Sequence, residues 1–446
     1  MAVVTRKHKG AICRLGVFLL SAWLVLGFAG IGQGEQAGSA PATVLPLPLK
    51  AARAHYVKLI QRRAFAEAVQ VAQKAIVLSE KSFGPDHAET AIDINNLAMI
   101  YKLWGAPEKA IALLEQVVKI KEKAFGPEHP KTAMTLHNLA STLQDFKQLD
   151  KAEAAARRAT HIREDAFGPK DEKTAHSLNL LGLILMNQKR LRQAEPLLRR
   201  AMTIITESQG QNHPDAISSA RNLMNLYLRQ GDSAKAAPLV EIILPFYKKH
   251  FGHQPYLVID MMEKAALMAQ YTDNPSKAGE ILNEALTIAE KLWGPHHPFL
   301  ISILGQYGFL YAQQDRPNKA ERLYRRALKI AEKNADHPQK LDNFDVIMIT
   351  GNFADLLQDQ GKMEEAERFY RQAIGLREDY SGPFHPATAI ALNNFAFFLK
   401  EQGRNKESDR LYDQVLEIYE KTKGLYETNE AQHLAKIAQQ LYEDSD

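Results

Sequence analysis

The chain has 446 residues, 45% of them apolar and 24% charged, with a formal net charge of +4. Arg6, Lys7, Lys9 and Arg14 supply that excess, and the remainder balances 52 basic residues against 52 acidic ones. A neutral body excludes the basic face that nucleic acid or an anionic membrane requires, and the length points to several domains or one long array.

The first element is a basic stretch, RKHKGAICR, followed by an apolar run from Leu15 to Gly32 and the small residues of GFAG and GQG. This is the pattern of an export signal over residues 1–34, cleaved after Ala29 or Gly34. The alternative is an uncleaved anchor, because the run is just long enough to span a bilayer. The expected destination is the periplasm or the extracellular space, with membrane attachment only through this segment. Cys13 is the single cysteine and precedes the apolar run, so it is not placed as a lipid-attachment residue, and the cleaved chain has no thiol. The glycines of GIGQGE (30–35) follow the signal and not a strand, and read as processing-site residues. Residues 35–48, EQAGSAPATVLPLP, read as a tether.

Beyond the tether one phrase recurs: SFGPDHAETA at 82–91, AFGPEHPKTA at 124–133, AFGPKDEKTA at 166–175 and SGPFHPATAI at 381–390. Its glycines, Gly84, Gly126, Gly168, Gly210, Gly252 and Gly294, fall every 42 residues, and Gly382 and Gly424 keep the step after an insertion of four. Other columns hold the same register. One is Ala68, Ala110, Ala152, Ala194, Ala236, Ala278, Ala320, Ala366 and Ser408; another is Leu59, Tyr101, Leu143, Leu185, Tyr227, Ala269, Tyr311, Leu357 and Leu399.

Each period predicts two helices. In TAMTLHNLASTLQD (132–145), Met134, Leu136, Leu139, Ala140 and Leu143 form a stripe of helical spacing. DKAEAAARRATHIREDA (150–166) is rich in strong helix formers. The short link FKQL makes the two antiparallel neighbours. One such hairpin cannot bury its apolar face alone, so the copies must stack. The phrase between periods is punctuation: Gly126 is expected in the left-handed well that closes a helix, Pro127 stops it, His129 caps the next and Pro130 opens it.

The helix pair resembles the tetratricopeptide repeat. The 42-residue period, with INNLAMIYKLWGAPEKAIALLEQVVKI (94–120) and LNNFAFFLKEQGRNKESDRLYDQVLEIY (392–419), resembles the kinesin light chain type. The resemblance covers nine repeats over residues 49–429, with a capping helix and tail at 430–446. It implies an all-α fold, a right-handed superhelical solenoid whose first helices line a concave groove that holds peptide segments or partner proteins. Repeat 1 departs from the pattern with Arg53-Ala54-His55-Tyr56, and repeat 6 with Glu263-Lys264-Ala265-Ala266. NADHPQKLDNFD (334–345) is a longer connector and a candidate joint.

The candidate groove residues are the asparagines. One column holds Asn96, Asn138, Asn222, Asn352 and Asn394, with Leu180, Lys264 and Gln306 as exceptions; beside it stand Asn95, Asn179 and Asn393, with Asn225 one turn later. A mid-helix asparagine costs a few tenths of a kcal/mol, and its amide both donates and accepts, which suits a peptide backbone. The competing reading is a structural bond between helices. Phe309 and Phe397 are candidate aromatic anchors. Lys102, Arg221 and Arg229 against Asp145, and Asp260, Glu263, Asp355, Asp359 and Glu401 against Lys264 and Lys400, are either a polarised groove or scattered solvated charge.

No HExxH, Walker loop or nucleophile elbow occurs. The connector histidines belong to different repeats, too far apart to share a metal. The expectation is a non-enzymatic scaffold or adaptor for other proteins or peptides, with no cofactor, metal or nucleic acid. The alternative is a peptide-sensing regulatory subunit of the cell envelope whose solenoid changes curvature on binding.

Overall fold

A computed structural model of the chain describes residues 45–334, 343–425 and 429–443. The segment read as an export signal and most of the stretch read as a tether lie outside these residues, as does the middle of the long connector. The described residues form helices and no strand, in two compact units that meet in the chain between Gly231 and Asp232. The first unit carries α1 (Leu47–Gln61), α2 (Phe65–Phe83), α3 (Ala88–Trp104), α4 (Pro107–Phe125), α5 (Pro130–Asp145), α6 (Leu149–Phe167), α7 (Glu172–Asn187), α8 (Leu191–Gln209) and α9 (Pro214–Gln230). The second carries α10 (Ser233–His250), α11 (Pro255–Tyr271), α12 (Pro275–Trp293), α13 (Leu300–Gln313), α14 (Pro317–Lys333), α15 (Asn343–Asp359), α16 (Met363–Ser381), α17 (Pro386–Glu401), α18 (Asn405–Thr422) and α19 (Asn429–Glu443). Within each unit a first helix packs on its own second helix, as α5 on α6, and the second helix packs on the next first helix, as α6 on α7.

The small-residue column makes this stacking possible. Ala68, Ala110, Ala152 and Ala194 are fully buried in the first unit, as are Ala278, Ala320 and Ala366 in the second. The last copy is Ser408, also fully buried, and its hydroxyl donates to the Ala396 carbonyl at 2.8 Å. Two glycines extend the rule. A Cβ at Gly182 would lie 2.6 Å from Leu198, and one at Gly308 would lie 2.6 Å from the Tyr324 ring. Large second-helix side chains are thus accommodated where the first helix has none.

The recurring phrase is a two-sided cap. Nδ1 of His87, His129 and His385 each accepts the backbone N–H two residues on at 3.1 Å, and Asp171 does the same at 2.8 Å. The hydroxyls of Thr90, Thr132, Thr174 and Thr388 donate back to the carbonyls of Gly84, Gly126, Gly168 and Gly382. The Phe125 ring stacks on His129 at 5.1 Å.

Three expectations need correction. Gly126 has φ 102° and ψ 157°, so its φ is positive but its ψ is extended, not left-handed helical. The chain leaves α4 at full stretch there so that the Gly126 carbonyl can meet Thr132; this region of backbone space is still essentially glycine's alone. The tether is shorter than 35–48, because α1 begins at Leu47: Pro48 falls in its first turn, where a missing N–H costs nothing, and Leu49 is fully buried. The connector is shorter than 334–345, because α15 begins at Asn343.

The ends of the array are finished differently. On α1, Tyr56 stands in the column that holds alanine in five of the eight other repeats and is 2% exposed, so repeat 1 replaces the signature with bulk. Arg53 grips buried Asp93 with Nε and Nη2, both at 2.8 Å. At the other end α19 packs on α17 and α18 through Leu434 and Ala438.

Candidate functional site

The first helices form a continuous layer within each unit: α5 touches α7, α7 touches α9, α11 touches α13, and α13 touches α15. The asparagine columns lie on these helices, and the structure separates them into two groups.

The first group is engaged. Asn138 Nδ2 on α5 donates to Asn95 Oδ1 on α3 at 3.2 Å, and Asn222 Nδ2 on α9 donates to Asn179 Oδ1 on α7 at 3.1 Å. Asn96 Nδ2 donates to the Tyr56 hydroxyl at 2.7 Å. A third rung in the second unit uses other residues: Gln306 Nε2 on α13 donates to Glu263 Oε1 on α11 at 3.0 Å, and the Ser302 hydroxyl donates to the same oxygen at 2.5 Å. Each asparagine or glutamine rung joins residues 43 apart, one period plus one. The column before the asparagines therefore supplies the acceptor. That column reads Asn95, His137, Asn179, Arg221, Glu263, Gly305, Gly351 and Asn393.

The second group has no rung, because the acceptor column ends in glycine. Gly305 stands opposite Asn352 and Gly351 opposite Asn394, and neither amide has a hydrogen-bond partner among the described residues. Asn393 and Asn225 also lack one. The two glycines differ. A Cβ at Gly305 would lie 2.7 Å from Ile349, so that glycine serves packing; a Cβ at Gly351 would meet nothing within 4 Å.

The open space at Gly351 belongs to a cleft of about 120 Å³ with α15 and α17 as walls and α16 as floor. Asn352 and Asn394 both line it, from opposite walls. Ile347, Met348, Ile390 and Ala391 give it an apolar interior. Its polar margin includes Asp355, whose carboxylate lies 2.6 Å from the Tyr370 hydroxyl, and Arg377, which packs over the Phe344 ring at 5.5 Å. One of the four first-unit residues in the column of Gly351 is His137, whose enclosed imidazole is held neutral, its pKa lowered to about 3 by desolvation and by Arg163.

Phe397 lies one turn beyond Asn394 on the same helix face and is 43% exposed; Phe309 is half-buried. Phe353, Phe395 and Phe398 are core. Two of the charges singled out in the sequence are paired within their own unit. Lys102 pairs with Asp145 at 2.7 Å, and Lys264 pairs with Asp260. Glu263 is enclosed at its carboxyl, and desolvation pushes it up to about 8, so at neutral pH it adds little negative charge.

The asparagine columns were visible in the sequence, but the acceptor column was not singled out. Its signal is the residue one period plus one before each asparagine, which requires the alignment of repeats and the knowledge that first helices touch.

The tetratricopeptide repeat family model matches residues 55–123, 119–165, 168–249, 257–333 and 345–421. The chain belongs to the tetratricopeptide repeat family. Proteins of this family generally mediate protein–protein interaction and are typically scaffolds. No curated relative matches the sequence. Among solved structures, the tetratricopeptide repeats resemble a Podosopora anserina protein of nearly identical repeats named for kinesin light chain, at 22% identity, TM-score 0.41, over 46% of this chain and 98% of that one. BtubC from P. vanneervenii is similar at 21% identity, TM-score 0.41, over 53% of this chain and 91% of that one. A signal-transduction ATPase with a tetratricopeptide repeat sensor from Pyrococcus horikoshii is similar at 14% identity, TM-score 0.53, over 86% of this chain and 54% of that one. These likenesses are of fold.

Proposed function

We propose that this tetratricopeptide repeat protein is an exported, non-enzymatic adaptor that holds an extended segment of another protein against its first helices, chiefly at repeats 8 and 9. One observation carries the reading. Asn352 and Asn394 line one cleft, and neither amide has a hydrogen-bond partner among the described residues. An amide has two donors and an acceptor, and a peptide backbone offers the complement at each residue. Asn95, Asn138, Asn179 and Asn222 serve the fold instead, since their amides are joined to each other. Phe397, exposed one turn along, is the anchor for an apolar side chain of the same segment.

The test is photocrosslinking in the native cell envelope from a reactive side chain placed at Phe397. The wild-type protein should trap a defined partner. The double variant Asn352→Ala, Asn394→Ala should lose it, while Asn138→Ala, Asn222→Ala should keep it. Equal trapping by all three would refute the assignment of the cleft. Export is tested separately by N-terminal sequencing of the protein from its own envelope; a mature end following Ala29 or Gly34 supports it, and an intact Met1 in the cytosol refutes it.

A further inference from the structure

Much of the charge in the body of the chain is neutralised locally. On the second helices Arg158 pairs with Glu122, Arg200 with Glu164 and Arg326 with Glu290, each at 2.6 Å. α1 is an exception. No acidic residue occurs from Gln36 to Ala66, while Lys50, Arg53, Lys58, Arg62 and Arg63 are basic. Arg53 is taken by Asp93 and Glu89. Lys50, Lys58, Arg62 and Arg63 are exposed and form no ion pair among the described residues. The neutrality of the body as a whole, which argues against a basic face, therefore does not hold at α1. At 3.6 residues per turn, Leu47, Lys50, Lys58 and Arg62 share about 120° of the helix circumference. The opposite side carries Leu49, Tyr56 and Ile60, which are buried. An end helix needs a polar outer face but not a face of one sign. At the other end of the array, α19 exposes Gln432, Gln439 and Gln440 beside Lys436.

The chemistry of this face is that of a partner with spread negative charge. The sequence around it points to a bilayer. The apolar run ends at Gly32, and residues 33–46 can hold α1 no more than about 50 Å from it. Leu47, the first residue of α1, is 83% exposed, and an aliphatic side chain at the leading end of a basic helix fits the headgroup layer of a membrane. We propose that α1 is a membrane-contact helix that lays Lys50, Lys58 and Arg62 on an anionic lipid surface, with Leu47 entering the headgroup layer. The contact is independent of the asparagine cleft. It forms whether or not the apolar run is cleaved, because the basic face belongs to α1 itself.

The probe is vesicles of phosphatidylglycerol and phosphatidylcholine in equal parts, with phosphatidylcholine vesicles as the reference, and the full chain is followed by co-sedimentation. Partition to the mixed vesicles should exceed partition to the reference and fall steeply with added salt. One basic side chain near an anionic leaflet strengthens binding about fivefold, so Lys50→Gln, Lys58→Gln should weaken partition to the mixed vesicles about twentyfold. The same variant should leave partition to the reference vesicles unchanged, and its denaturation midpoint should stay that of the wild type, since both side chains are exposed. Lys119→Gln, Lys329→Gln removes the same charge from exposed positions on α4 and α14 and should bind as the wild type does. Equal losses in the two double variants would overturn the assignment to α1 in favour of net charge. Equal partition to mixed and reference vesicles would overturn the membrane contact. Salt-sensitive self-association or retention on duplex DNA, lost with Lys50 and Lys58 in the absence of vesicle binding, would give the face to a second copy or to nucleic acid and overturn the lipid assignment.

Discussion

Repeats 2 to 5 and repeats 8 and 9 use the same asparagine column for opposite ends. In the first region the column is met by an acceptor from the neighbouring helix, so Asn138 and Asn222 become rungs between α3 and α5 and between α7 and α9. In the second the acceptor position is glycine, and Asn352 and Asn394 remain open. The lesson is that a repeated residue has no fixed role. Its hydrogen bonding is set by one position in the preceding repeat, and a change there leaves the amide without its partner in the neighbouring helix.

The largest expected effect concerns the rung that uses a carboxyl. Glu263 is raised to about 8 in the folded protein by desolvation, with Asp345 and Asp260 adding to the rise, against an ordinary value of 4.5. The folded state therefore holds a proton that the unfolded state releases between those limits. Stability from this group is complete below pH 4.5 and is lost as pH rises through about 8. The slope is at most about 1.4 kcal/mol per pH unit. Denaturation midpoints measured from pH 5 to 9 should fall on the alkaline side, and Glu263→Gln should flatten that fall; an unchanged profile in the variant would assign the loss elsewhere.

Next in size is the contrast between the two glycines. Gly305→Ala should destabilise by about 1–3 kcal/mol through crowding against Ile349, and Gly351→Ala should stabilise by about 1 kcal/mol. Chemical denaturation distinguishes the signs. Gly351→Asn goes further, because it restores the acceptor and should close the cleft as the first region is closed.

The two tyrosines at equivalent second-helix positions make a third contrast. Tyr370 has its hydroxyl 2.6 Å from both Asp355 and Gln358, whereas the fully buried Tyr324 hydroxyl has no partner among the described residues. Tyr370→Phe should cost about 1 kcal/mol, and Tyr324→Phe should be neutral or stabilising. Loss of stability in both would show that the Tyr324 hydroxyl is satisfied in solution.

The smallest effects are at the asparagines. Asn138→Ala and Asn222→Ala should each cost about 0.5–1.5 kcal/mol in the denaturation midpoint. Asn352→Ala and Asn394→Ala should each gain a few tenths through helix propensity. Four equal losses would erase the distinction between the regions.

The fold was legible because its period is rigid: once Gly84 to Gly294 set the step, the helix pairs and the His129 cap followed from propensity and capping chemistry. The extended ψ of Gly126 was not legible, because it answers to the hydroxyl of Thr132 six residues on. The site was legible only in part. Asn352 and Asn394 stood out as residue types, but nothing local separates them from Asn138 and Asn222. The difference lies 43 residues before Asn394 and 47 before Asn352, and consists of an absent side chain, which no reading of residue chemistry at the asparagine itself can register.

The caps between repeats have a consequence for how such a chain can change its length. His129 and Thr132 close both the helix before and the helix after using groups from a single ten-residue stretch. No distant residue has to be altered to make a good junction. A duplicated period therefore arrives with its own joints already finished, and a deleted one leaves matching ends behind. An array built this way can be lengthened or shortened by whole units in one genetic step, while a single substitution in the acceptor column decides which of the resulting asparagines is bonded to its neighbour helix.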